Sequence, residues 1–134
     1  MTQRIASCIC GQLTARVTGE PVRVSVCHCL NCKRRSGSAF AAQARFPADQ
    51  VRMEGEARTF DLTGDSGTTA TFSFCPACGR TVAYVNRGFP ELEALIAIPV
   101  GAFAEVDFPA PGVEVYGERR CGWVEVVGDM ERHD

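Results

Sequence analysis

The stretch FCPACG at residues 74–79 holds two cysteines separated by two residues. This spacing lets one tight turn direct both sulfurs at a single metal ion, and Gly79 supplies the flexible backbone that such turns often need. The pattern is typical of a zinc knuckle. Because structural zinc is held by four ligands, Cys75 and Cys78 provide only half of a site, and the other half must come from elsewhere in the chain.

A second pair of cysteines, in SCICG at residues 7–11, can complete that site. In an extended segment residues i and i+2 point to the same face, so Cys8 and Cys10 can both reach one ion. The two pairs together predict a four-thiolate structural zinc site that joins distant parts of the chain. The alternative, two buried thiol pairs without metal, is disfavoured by the spacings.

The stretch CHCLNCKRRSGSAF at residues 27–40 carries three more cysteines. Four protein ligands are typical of structural zinc, whereas three protein ligands with an exchangeable fourth position are typical of catalytic zinc. Cys27, Cys29 and Cys32 therefore predict a second and open zinc site.

Two residues are candidates for a fourth ligand to this second site. His28 lies between two of the cysteines and would have to reach back past its neighbours, so we favour a non-ligand role for it. Cys121 is the remaining cysteine of the eight, and its simpler interpretation is a small buried hydrophobe.

A run of cations, Lys33, Arg34 and Arg35, follows the third cysteine of this stretch directly. These residues can attract an anionic ligand and help to keep the thiolates ionised. A solvated surface face explains such a run equally well. Ser36 and Ser38 are possible hydroxyl donors, although serines in this position are more often plain turn residues.

The composition narrows the class of protein. The 134 residues fit one domain, 46% of them are hydrophobic, and the net charge of −2 argues against a dedicated nucleic-acid binder. The start MTQRIASC has no hydrophobic signal region, and no apolar run is long enough to cross a membrane. We therefore expect a cytoplasmic protein, and in a reducing compartment clustered cysteines bind metal more often than they form disulfides.

Short segments rich in β-branched and aromatic residues, separated by glycine and proline, predict a mainly β fold in a single domain over residues 1–134. Residues 63–67 form the expected turn of a hairpin. Only residues 30–35 and 100–104 indicate helix. The predicted strands are Leu13–Thr18, Val22–Val26, Phe40–Phe46, Ala57–Leu62, Thr68–Phe74, Thr81–Asn86, Leu95–Ile98, Val113–Tyr116 and Trp123–Val127.

The three cysteine motifs, in this order and followed by the tryptophan of RRCGW at residues 119–123, resemble the glutathione-dependent formaldehyde-activating enzyme family, which includes the centromere protein V group. The resemblance implies several small coiled antiparallel sheets stapled by zinc, as in the Rab-accessory zinc protein (an Mss-four-like fold). Two positions depart from the family pattern. Ile9 stands where members often carry a histidine, and Cys121-Gly122 precedes Trp123 where they often have a small residue and a proline.

The resemblance also implies two zinc ions per chain, with the same division of ligands as the spacings indicate. The first set is Cys8, Cys10, Cys75 and Cys78, and the second, catalytic set is Cys27, Cys29 and Cys32.

The implied activity is condensation of glutathione with formaldehyde to S-(hydroxymethyl)glutathione, classed as a carbon–sulfur lyase reaction. Zinc deprotonates a coordinating thiol, so an open site can hold the thiolate that attacks the aldehyde. Lys33, Arg34, Arg35 and Ser38 are the expected substrate-binding residues. The alternatives are a small-thiol carrier without turnover and a structural zinc domain for macromolecular contacts.

Overall fold

The computed structural model describes all 134 residues, and strands dominate it. The strands are β1 (Gln3–Ser7), β2 (Thr14–Thr18), β3 (Arg23–Cys27), β4 (Ala41–Pro47), β5 (Val51–Glu54), β6 (Arg58–Thr63), β7 (Thr69–Phe74), β8 (Thr81–Arg87), β9 (Leu95–Pro99), β10 (Val113–Val115) and β11 (Glu131–Arg132). The helices are α1 (Leu30–Ser36) and α2 (Pro90–Glu93), with short 3-10 turns at Ala48–Gln50, Val100–Phe103 and Gly117–Arg119. The prediction of a mainly β fold is confirmed.

The strands form two sheets. A three-stranded sheet has the order β1-β2-β5, and an eight-stranded sheet has the order β11-β10-β3-β4-β9-β8-β7-β6. All pairings are antiparallel except those of β10, which runs parallel to both β3 and β11. Parallel pairing fits the long connection between β3 and β10, because neighbouring parallel strands cannot be joined by a tight turn.

Most of the predicted strands are present within a residue or two, and the hairpin around residues 63–67 joins β6 to β7. The strand prediction for Trp123–Val127 is wrong, since this segment is irregular and Trp123 is 81% exposed. The strands on either side of Gly19 do not form a hairpin: β2 belongs to the small sheet and β3 to the large one.

The core lies where the two sheets meet. Its largest fully buried apolar side chains come from β2 and the loop before it, from β4, and from β8 and β9, and they are Leu13, Val17, Phe46, Val82 and Ile98. Cys8 and Cys75 belong to the same apolar cluster. One cysteine of each pair therefore lies in the core between the two sheets.

No helix of the chain is long and apolar enough to cross a lipid bilayer.

Candidate metal centres

The first cysteine cluster joins the two sheets. Cys8 and Cys10 lie in the loop between β1 and β2, while Cys75 and Cys78 lie in the turn between β7 and β8. The four sulfurs are within 4.8 Å of one another, and the Cys8–Cys10 and Cys10–Cys75 sulfur pairs are 3.6 Å apart. Tetrahedral zinc with Zn–S bonds of about 2.3 Å requires sulfurs roughly 3.8 Å apart, so the set fits this ion.

Backbone amides surround these sulfurs. The Leu13 N–H donates to Cys8 Sγ at 3.3 Å, and the N–H groups of Ala77 and Cys78 donate to Cys75 Sγ at 3.4 and 3.5 Å. Such donors favour the thiolate form, which is the form that binds metal. Gly79 has a φ of +81°, so it adopts the positive-φ conformation that glycine allows and that was expected after the two cysteines.

Gln12 contacts this cluster, and the sequence did not indicate it, because no motif marks it. Its Nε2 donates to Cys75 Sγ at 3.0 Å and to the Glu56 carbonyl at 2.7 Å, while its Oε1 accepts from the Glu56 N–H at 2.9 Å. The hydrogen bond from Gln12 is the main reason that the pKa of Cys75 is lowered, to about 6. Gln12 thus links the four-cysteine cluster to the segment that enters β6.

The first prediction concerns Gly55, which lies against the backbone of Gln12. Gly55 has a φ of +103°, and a Cβ there would lie 2.0 Å from the Gln12 carbonyl oxygen. Gly55→Ala must displace the loop, and we expect it to lower the free energy of unfolding by about 2–3 kcal/mol in urea titrations. Gly122→Ala is the matched control, because its Cβ would meet nothing within 4 Å. Equal midpoints for the two variants would contradict the prediction.

The second cysteine cluster surrounds the start of helix α1. Cys27 ends β3, Cys29 is the N-cap of the helix, and Cys32 lies in its first turn. Their sulfurs are within 4.8 Å of one another, and Cys29 Sγ accepts from the Cys32 N–H at 3.3 Å. Hydrogen bonds from the thiols of Cys27 and Cys32 hold the pKa of Cys29 far below its usual range. Three soft thiolates suit zinc.

Neither candidate for a fourth ligand belongs to this cluster. His28 is fully buried, and its Nε2 is 2.7 Å from Glu114 Oε2. The other carboxylate oxygen of Glu114 accepts a hydrogen bond from Arg132 Nη1 at 2.7 Å. Cys121 Sγ is instead 3.5 Å from the ammonium of Lys33. The group of sulfurs close enough to share an ion therefore has three members.

The three cysteines open onto a cleft of about 240 Å³. Its floor is formed by side chains of β3, β4 and β8, helix α1 forms one side, and the β6–β7 hairpin forms the other. The polar side chains in its lining are Arg23, Ser25, Asn31, Arg35, Gln43, Arg45, Thr68, Tyr84, Asn86 and Tyr116. Their only formal charges are the three arginines, so the cleft favours an anionic ligand.

Two of the three arginines, Arg35 and Arg45, contact aromatic or amide side chains. The Arg35 guanidinium lies 5.1 Å from the centre of the Tyr84 ring and 5.4 Å from that of Phe72, while its Nη2 is buried without a hydrogen-bond partner. Arg45 also lies over Tyr84 and donates to Asn86 Oδ1 at 3.0 Å. Burial raises the pKa of Tyr84 to about 12, so its hydroxyl stays protonated at neutral pH.

The four residues expected to bind substrate are dispersed. Arg35 lines the cleft, and Arg34 lines two adjoining grooves on the outer side of the cysteine cluster. Lys33 points towards the chain end, where its Nζ donates to the Arg119 carbonyl at 2.6 Å. Ser38 lies in the exposed turn after the helix, and its N–H donates to Ser36 Oγ at 3.2 Å.

The sequence did not indicate the cleft residues on the strands, among them Arg23, Gln43, Arg45 and Tyr84. A usable signal was present. Arg23 and Cys27 are four positions apart in one strand, so they share a face. Gln43 and Arg45 share a face of β4, and the register places them opposite Ser25 and Arg23.

The fold and the two clusters define a mainly β, cysteine-rich domain that can hold two metal ions. The family model of the glutathione-dependent formaldehyde-activating enzyme matches residues 3–119. The chain therefore belongs to this family, as its motifs indicated, and the family is named for an enzyme.

A crystal structure of a Rhodobacter sphaeroides protein from a structural genomics programme is similar to this chain. The TM-score is 0.57 at 20% sequence identity, and the alignment covers 77% of this chain and 90% of the other. At this identity the likeness shows a shared fold. No curated protein matches the chain at a significant level.

Proposed function

We propose that the chain is a zinc-dependent enzyme of the carbon–sulfur lyase type, which condenses glutathione with formaldehyde. The observation that carries the proposal is the position of the three-cysteine cluster at the end of an arginine-lined cleft. In this proposal Cys8, Cys10, Cys75 and Cys78 hold a structural zinc, and Cys27, Cys29 and Cys32 hold a second one. A zinc ion held by the second set would keep a coordinating thiol deprotonated at neutral pH.

The protein's own residues then bind and orient a thiol. Arg35 and Arg45 donate hydrogen bonds to its carboxylate groups, and the unpartnered Nη2 of Arg35 is the donor best placed to do so. Cation–π contacts with Phe72 and Tyr84 fix the Arg35 guanidinium, so little side-chain freedom is lost on binding. Arg34 can contact the same ligand from the adjoining grooves.

The reaction adds the thiol across the carbonyl group, so a carbon–sulfur and an oxygen–hydrogen bond form while the S–H bond and the carbonyl π bond break. The glutathione sulfur bonds to the formaldehyde carbon, the π pair of the carbonyl moves to oxygen, and that oxygen takes up a proton to give the hydroxymethyl thioether. Tyr84 Oη, protonated at neutral pH, is the cleft hydroxyl suited to donate to the developing oxyanion. The proposal places the protein in the reducing cytosol, because a disulfide among the three cysteines would remove its ligands.

Magnetisation-exchange NMR tests turnover. Glutathione and formaldehyde condense without a catalyst, so the quantity measured is the exchange rate between free and hydroxymethylated thiol, with and without protein. We expect micromolar protein with two zinc ions to raise this rate in proportion to its concentration. Glutathione binding without any acceleration would favour the carrier, and two zinc ions without glutathione binding would favour a structural domain.

A further inference from the structure

The floor of the cleft is a ladder of side chains that begins at the second cysteine cluster. In the register of β3 and β4, Ser25 lies opposite Gln43 and Arg23 lies opposite Arg45. Cys27 is the last residue of β3, and alternate residues of a strand share a face. Moving away from the cysteines, a ligand therefore meets a hydroxyl and an amide first and two guanidinium groups second.

Gln43 has one buried polar atom without a hydrogen-bond partner. The residue is 3% exposed, its Nε2 donates to Ser25 Oγ at 3.2 Å, and its Oε1 is buried without a hydrogen bond. The Ser25 hydroxyl can donate as well as accept, so the amide can also sit the other way round. In either orientation one end of the amide has no partner, and a buried polar group without a partner is costly.

The spacing of the ladder matches a peptide that carries a thiol. Strand residues advance by about 3.3 Å, which places Ser25 and Gln43 roughly 7 Å and Arg23 and Arg45 roughly 13 Å from Cys27 along the strand. In a cysteine-containing peptide, amide groups adjoin the thiol-bearing residue and the terminal carboxylates lie further out. Along such a peptide the groups follow one another as sulfur, amide and carboxylate. Along the cleft the groups suited to bind them follow in the same order: the cysteine cluster, the amide of Gln43 and the guanidinium groups.

We propose that Gln43, oriented by Ser25, is a specificity-determining residue that hydrogen-bonds a peptide amide of the thiol substrate. The cleft thereby prefers peptide thiols to simple thiols that have a carboxylate but no amide. This inference rests on the proposed function for the identity of the ligand, and it adds the group that is recognised. Gln43 acts on binding, so its role can be measured without turnover.

Isothermal titration calorimetry of the zinc-loaded protein with two thiols tests the inference. Glutathione has amide groups, whereas 3-mercaptopropionate offers only a thiol and a carboxylate. Gln43→Met removes the amide with little change in volume, and we expect it to weaken glutathione binding about tenfold. Binding of 3-mercaptopropionate should change by less than about twofold.

The controls separate recognition from folding. Gln3→Met makes the same substitution at an exposed position of the other sheet and should leave both affinities unchanged. Ser25→Ala removes the hydroxyl that orients the amide. It should weaken the binding of glutathione but not that of 3-mercaptopropionate, and by a smaller factor than Gln43→Met does. The zinc content of each variant, two ions per chain, reports that the clusters are intact.

Two outcomes overturn the inference. If Gln43→Met weakens the binding of both thiols equally, Gln43 acts on the cysteine cluster. If it leaves glutathione binding unchanged, the Gln43 amide does not bind the ligand. The proposed function can fail separately. One such result is that the wild-type protein binds glutathione, and Gln43→Met weakens that binding as expected, while no acceleration of the exchange with formaldehyde is found. In that case the inference holds and the enzyme proposal is wrong.

Discussion

Cys75→Ala is expected to leave the chain largely unfolded at room temperature. Cys75 is fully buried, belongs to the apolar core, and lies in the cluster that joins the small sheet to the large one. Structural zinc contributes about 10–16 kcal/mol in zinc-finger peptides, which is comparable with a total stability of about 5–15 kcal/mol for a typical domain. Loss of one ligand therefore removes a large share of what holds the two sheets together.

Circular dichroism and zinc analysis check this result. The expected signature is loss of the cooperative thermal transition together with loss of the zinc held by the four-cysteine cluster. Cys121→Ala is the matched control, because Cys121 is a cysteine outside both clusters, and its variant should stay within about 1 kcal/mol of the wild-type stability. A Cys75→Ala protein that melts near the wild-type temperature would show that the cluster does not hold the sheets together.

Much of the fold could be predicted from local patterns. The hairpin of β6 and β7 follows from alternating residues around one glycine-containing turn, and its register has no irregularity. The sequence of β1 indicates a strand less clearly, because its hydrophobic pattern does not mark the buried face. Ile5, its strongest β-former, is 49% exposed, while the small Ala6 is buried. The parallel pairing of β3 with β10 is set by contacts between residues about ninety positions apart, which local periodicity does not report.

The candidate sites divide in the same way. The spacing of cysteines fixes which sulfurs can meet, and the two groups in the structure are the two that the spacings and the motifs indicate. The run of cations predicted the ligand-binding residues less well. Its three members, Lys33, Arg34 and Arg35, lie on successive positions of a helix, so their side chains point in different directions. Arg45 reaches the cleft from a strand, through a register that only the folded sheet reveals.

Cys29→Ser is expected to abolish ligand capture while leaving the fold intact. Cys29 is half-buried and caps helix α1 through its sulfur, and serine is a good N-cap, so the helix should keep its first turn. The thiolate is lost, and the second cluster falls to two sulfurs. Because losing even an outer-shell partner typically costs 10–100-fold in metal affinity, the loss of a direct ligand should cost more than about 100-fold.

The contrast with Cys75→Ala makes this prediction decisive. Cys29→Ser should melt within a few degrees of the wild-type protein, carry one zinc ion per chain instead of two, and exchange glutathione with formaldehyde at the uncatalysed rate. Cys29→Ala, which also removes the helix cap, should lose about 1 kcal/mol more in stability with the same zinc content. If Cys29→Ser and Cys75→Ala lose melting temperature equally, the two clusters share one structural role, and the division into a structural and an open site is wrong.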